Sequence, residues 1–235
     1  VIDESGMRRG VPTVNRLWGN STAVLLGDYL FATANRVISE MGNLQIIGLF
    51  SQAIMSISSG ELEETFNAYN LGQTREQYYH QIGNKTASLF SVATQSGAIL
   101  SQAPEKEVRM LETYGYNLGM SFQITDDILD FTGEEDVVGK PVGADLARGT
   151  LTLPSILFLE QHPRDSHIKK FFEQKSKSLV APVIEEISGS PVISQCYEVA
   201  SEFRRRACQA LENIPDGVIR TSLTDIAGYV IERRK

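Results

Sequence analysis

Three aspartates lie close together in an otherwise apolar stretch, "FQITDDILDFTG", residues 122–133. On a helix Asp126 and Asp130 are four apart and share a face, with Asp127 beside them. Like charges at that spacing repel by roughly 0.2–0.5 kcal/mol when exposed, and burying an uncompensated carboxylate costs far more. Three carboxylates near an apolar face therefore suggest compensation. A hard divalent cation such as Mg2+ provides it, because it takes one or two carboxylates together with water and phosphate oxygens. Spacing alone fits equally a solvated acidic face beside a helix end.

Cationic groups recur elsewhere. Asp3 and Glu4 precede the pair Arg8–Arg9 in "VIDESGMRRG", and two adjacent guanidinium groups suit multidentate phosphate recognition. Lys85–Thr86 places a cation and a hydroxyl inside the apolar stretch "IGNKTASLF", and Lys140 sits in a glycine-rich segment after the aspartates. Each has a plain alternative, since arginine pairs are common on surfaces and a lysine on an apolar helix usually reaches outward. Together they supply carboxylates for metal, cations for phosphate and an apolar body, a combination that fits a pocket for a diphosphate attached to a hydrocarbon.

The elements that must position these groups read as helices throughout. Helical periodicity covers residues 20–38 and 43–59, with "SSGELEET" opening a new acidic first turn. A third helix runs through "TREQYYHQIGNKTASLFSVATQSGAILSQ", with Thr74 and Gln77 spaced as a capping box. A fourth carries the aspartates, with Val108, Leu111, Tyr114, Leu118, Phe122 and Leu129 recurring at helical spacing. Residues 133–150 hold four glycines and a proline and predict a long flexible connection of functional type. Helix resumes at "TLPSILFLEQH", with Pro154 in a first turn, and continues over 165–188 and 191–213. Ser222 and Asp225 occupy cap positions of a final helix. Strand-like alternation is nearly absent.

Bulk composition sets outer limits. The 235 residues are 42% hydrophobic and 22% charged, enough for one sizeable core. A net charge of −7 disfavours nonspecific nucleic-acid binding. Cys196 and Cys208 lack zinc-type spacing with His80, His162 or His167, and read as reduced thiols of a cytoplasmic protein. The most apolar run, "LQIIGLFSQAIMSI", contains Gln45 and Gln52 and is short for a transmembrane segment.

Taken in order, "VIDESGMRRGVPTVNRLWGN", "GDYLFATA", "IGNKTASLF", "FQITDDILDFTGEEDVVGKPVGADLARGTLTLP" and "YVIERRK" resemble the trans-isoprenyl diphosphate synthases, in particular the long-chain polyprenyl diphosphate synthases. The resemblance covers essentially the whole chain. It implies an all-α fold, a helical bundle around a central cavity, as one polyprenyl synthase domain over residues 1–235. It also implies that the domain is incomplete at its N-terminus: Asp3 would be the last aspartate of a first DDxxD motif, and the isopentenyl diphosphate-binding helices have no counterpart.

The implied activity is Mg2+-dependent condensation of an allylic diphosphate, farnesyl or geranyl, with isopentenyl diphosphate. Two or three Mg2+ ions would be held by Asp3, Asp126, Asp127 and Asp130. Asp126, Asp127, Asp130, Lys85 and Arg8 would carry catalysis. Arg8 would bind the allylic diphosphate and Arg9 the isopentenyl diphosphate, with Lys85, Thr86, Gln123 and Lys140 contacting the allylic diphosphate or the developing cation. Thr150 departs from the family, many of whose members have a lysine there. The implied assembly is a homodimer, with a heteromer as the alternative. Rival readings are a non-catalytic subunit of a heteromeric synthase and a terpene cyclase, the latter disfavoured by the second DDxxD and the paired arginines.

Overall fold

A computed structural model describes residues 1–8, 10–133, 142–163 and 166–232. Arg9 and Lys140 lie outside these described residues. As the sequence predicts, the architecture is helical. The strands described are β1 (Met7–Arg8) and β2 (Val11–Pro12), an exposed antiparallel hairpin pairing Met7 with Pro12 and Arg8 with Val11.

The helices are α1 (Val14–Glu40), α2 (Leu44–Phe66), α3 (Arg75–Ile82), α4 (Ser88–Leu100), α5 (Glu105–Thr132), α6 (Ala144–Ala147), α7 (Leu153–Gln161), α8 (His167–Gln174), α9 (Val180–Ser188), α10 (Val192–Ala210) and α11 (Val218–Glu232). The helix with the aspartates, α5, is central. It packs against α4 and α10, and also touches α7, α9 and α11. Its buried Met120, Ile124, Ile128 and Phe131 join the larger core with Leu153 and Ile156 of α7, Phe171 of α8 and Ile187 of α9. A smaller cluster forms where Tyr114 and Leu118 meet Ala207, Leu211, Ala227 and Val230.

Several boundaries differ from the sequence expectation. "SSGELEET" does not open a helix but completes α2, with Gly60 inside it. The glycine is there for proximity: a Cβ would lie 2.9 Å from the Lys85 amide nitrogen. The predicted third helix is interrupted by a π-helical turn, Gly83–Ala87, between α3 and α4. The predicted 165–188 helix breaks at Lys175, which takes a left-handed conformation (φ 50°) and separates α8 from a 3-10 turn and α9. Helix α11 begins at Val218, so Ser222 and Asp225 lie inside it rather than at caps.

The capping box is present. The Gln77 amide N–H donates to Thr74 Oγ1 at 3.3 Å, and the Thr74 N–H donates to Gln77 Oε1 at 2.9 Å. Thr74→Ala leaves that amide without its acceptor and is expected to lower stability by about 1 kcal/mol. Thermal melting checks this, with an expected fall of about 2–4 °C.

Helix α1 contrasts with the rest. It kinks at Gly19, none of its residues is buried, and Leu17, Trp18, Leu25, Tyr29, Leu30 and Phe31 are all exposed.

Candidate active site

The three aspartates of α5 occupy different environments. Asp126 is half-buried, whereas Asp127 and Asp130 are 3% and 1% exposed. Asp127 accepts from the Tyr78 hydroxyl at 2.6 Å and from Gln123 Nε2 at 2.8 Å, one donor on each oxygen. Burial pushes its carboxyl well above the usual carboxylate range; Asp145 adds to that, and the two hydrogen bonds oppose it. Asp130 accepts from the backbone N–H of Ala144 at 3.3 Å and of Asp145 at 3.1 Å, while its carbonyl accepts from Gly143 at 2.7 Å. The described part of the predicted flexible connection is therefore fastened to α5 by an aspartate. It is fastened to Tyr69 as well, whose N–H donates to the Gly149 carbonyl at 2.8 Å.

The π-helical turn brings Lys85 and Thr86 to this region. Such turns insert one extra residue and re-aim the side chains around them. Thr86 Oγ1 donates to Gln123 Oε1 at 2.7 Å, so Thr86, Gln123 and Asp127 form one chain of hydrogen bonds between α4's approach and α5. Lys85 Nζ pairs with Glu64 at 2.7 Å and Glu61 at 2.9 Å, both on the last turns of α2. Burial pulls the Lys85 pKa down, but Glu64 and Glu61 outweigh it and hold the ammonium above its ordinary range.

Asp3 is half-exposed, and its carboxylate lies 3.8 Å from Arg148 Nε; Arg148 also pairs with Asp145 at 2.5 Å. Asp145 in turn is the neighbour whose charge acts on Asp127. A cavity of about 290 Å³ is lined by Asp3, Glu4, Glu61, Glu64, Arg148 and Thr150, among others. Asp3, the Lys85 partners and Thr150 thus meet in one place. Arg8 is exposed on β1. Among the described residues no three acidic, histidine or cysteine side chains already converge as a metal cage.

Sequence reasoning missed Glu61, Glu64, Tyr78, Gln81, Asp145 and Arg148. A signal existed for the first two, two acids three apart and therefore on one helical face, had the helix been continued through Gly60.

The site thus joins the carboxylates of the central helix, through Gln123, to the hydroxyl of Thr86, the neighbour of Lys85. The family model for polyprenyl synthetase matches residues 1–187. Heptaprenyl diphosphate synthase component 2 of Bacillus subtilis is 37% identical over 234 residues, covering 100% of this chain and 67% of that protein. Solanesyl diphosphate synthase 1 of Arabidopsis thaliana is 38% identical, covering 99% of this chain but 57% of its own length. The crystal structure of a polyprenyl synthase from Caulobacter crescentus, complexed with calcium and isoprenyl diphosphate, superposes with a TM-score of 0.95 at 29% identity, over 100% of this chain and 73% of that one. The chain belongs to the polyprenyl synthetase family, as its sequence resemblance implied. No helix among the described residues is long and apolar enough to cross a membrane.

Proposed function

We propose that this protein joins an allylic diphosphate, farnesyl or geranyl, to isopentenyl diphosphate, giving a trans-polyprenyl diphosphate. The observation that carries the reading is the hydrogen-bonded chain Thr86–Gln123–Asp127, which ties a phosphate-reading hydroxyl, next to a cation, to the aspartates of α5. Asp126, half-buried, and Asp3, half-exposed, offer the hard oxygen donors that Mg2+ prefers. They would hold Mg2+, with Asp127 and Asp130 fixed behind them by their hydrogen bonds. The ion would supply offsetting charge for the diphosphate that departs from the allylic carbon.

The chain's own residues bind, orient and exclude water. Glu61 and Glu64 keep Lys85 protonated, and a phosphate would share its ammonium with those two carboxylates. Thr86 and Gln123 add neutral polar contacts, and Arg8, Arg9 and Lys140 add further cations, with Arg9 serving the isopentenyl diphosphate. Asp130 fixes the segment carrying Asp145, Arg148 and Thr150 against α5. The exposed large apolar side chains of α1 support homodimer assembly, because apolar surface of that kind marks an interaction site. The two free cysteines fit a reducing cytoplasm.

Full-length protein incubated with farnesyl diphosphate, isopentenyl diphosphate and Mg2+ is expected to yield polyprenyl diphosphate by mass spectrometry, and EDTA to abolish it. A hydrocarbon released from farnesyl diphosphate alone would overturn the reading in favour of a cyclase. The Bacillus relative's designation as a component favours a second reading, a subunit that works with a different partner chain. Product formed only after a second subunit is added would establish it.

A further inference from the structure

Helix α3 contributes no residue to the proposed catalytic set, yet two hydrogen-bonded relays begin on it or just before it and end on adjacent residues. In the first, buried Tyr78 donates to Asp127 Oδ2 at 2.6 Å, Gln123 Nε2 donates to Asp127 Oδ1 at 2.8 Å, and Thr86 Oγ1 donates to Gln123 Oε1 at 2.7 Å. The Gln123 amide thus turns its nitrogen toward Asp127 and its oxygen toward Thr86. In the second, Gln73 Nε2 donates to Gln81 Oε1 at 3.1 Å, Gln81 Nε2 donates to Glu64 Oε2 at 3.0 Å, and Lys85 Nζ donates to the same oxygen at 2.7 Å.

Tyr78 and Gln81 are three apart, share a face of α3, and are 1% and 4% exposed. Their helix is itself pinned, by the Thr74 capping box at its start and by Arg75, whose Nε donates to Glu160 of α7 at 2.8 Å. The two relays end on Lys85 and Thr86 of the π-helical turn, and so link it to that pinned helix.

We infer that Tyr78 and Gln81 are positioning residues, which set the Thr86 hydroxyl and the Lys85 ammonium at the spacing a substrate diphosphate requires. Neither belongs to the residues proposed to contact substrate. The inference rests on the functional reading above, in which Lys85 and Thr86 contact the allylic diphosphate. Tyr78→Phe deletes one hydroxyl and keeps the ring; Gln81→Met keeps length and flexibility without the amide.

A purely structural role would lower the melting temperature and leave ligand affinity in the folded protein unchanged. Calorimetric titration of the full-length protein with farnesyl thiolodiphosphate, an unreactive allylic diphosphate, in the presence of Mg2+ separates the two. Each variant is expected to weaken binding by about tenfold, the scale of one charge-assisted hydrogen bond lost through misplacement. Adding Tyr78→Phe to Thr86→Ala is expected to cost less than about twofold more, as is adding Gln81→Met to Lys85→Ala, because residues acting through one another are not additive. Wild-type affinity in both single variants, or additive losses in the cycles, overturns the inference. If Tyr78→Phe does not fold, Gln81→Met and its cycle decide. A wild-type protein that fails to bind the analogue overturns the functional reading and this inference with it; tight wild-type binding with unaffected variants overturns this inference alone.

Discussion

Asp126→Ala is expected to lower prenyl transfer on the order of 10³-fold, the scale seen when one preorganised group opposite developing charge is removed. It is expected to leave the melting temperature within about 3 °C of wild type. The split follows from burial. Asp126 is half-buried, beside two carboxylates that are almost fully enclosed. Its negative charge is one of the influences that disfavour ionisation of Asp127, so its removal relieves repulsion rather than creating it. Asp127→Ala should behave differently, stranding the buried Tyr78 hydroxyl at a cost of about 1–3 kcal/mol. Steady-state turnover of isopentenyl diphosphate together with thermal melting distinguishes the two variants. Equal losses of stability would show that both aspartates are structural; unchanged turnover in Asp126→Ala would remove the metal-binding reading of α5.

That contrast marks how far the sequence alone carries. Helical periodicity located α5 and the shared face of Asp126 and Asp130, because both depend on local spacing. It could not separate an accessible aspartate from two enclosed ones, since Tyr78 is 49 residues from Asp127, and the amides capped by Asp130 lie 14 and 15 residues away. Lys85 reads as a lone cation in an apolar stretch; its partners Glu61 and Glu64 come from the end of α2, which sequence reasoning cut short at a glycine. Gly60 was a local signal with a distant cause, the close approach of the Lys85 backbone. The π-helical turn has no periodicity of its own over five residues. The Thr74 capping box was legible because both of its partners lie within one turn.

The second large effect concerns the contact that lets α5 reach the π-helical turn. Gly115 and Gly119 are four apart on α5 and face α4. A Cβ at Gly115 would lie 2.2 Å from Thr94 Oγ1 and 2.5 Å from the Phe90 carbonyl oxygen; one at Gly119 would lie 2.6 Å from the Ala87 Cα. Each alanine substitution therefore drives a methyl into backbone that cannot rotate away. Overpacking of this kind costs about 1–3 kcal/mol, a melting-temperature fall of about 3–10 °C for a domain of this size. The two should part company in function. Thr94 and Phe90 lie one to two turns beyond the Lys85–Thr86 pair, so Gly115→Ala should lose stability while folded protein keeps its affinity for the allylic diphosphate analogue. Ala87 is the residue next to Thr86, so Gly119→Ala should displace the hydroxyl from Gln123 and weaken that affinity by about tenfold. Melting curves and analogue titrations of the same two preparations test this directly. Equal affinities in the two variants would mean that the spacing between α5 and the π-helical turn does not control how the diphosphate is held.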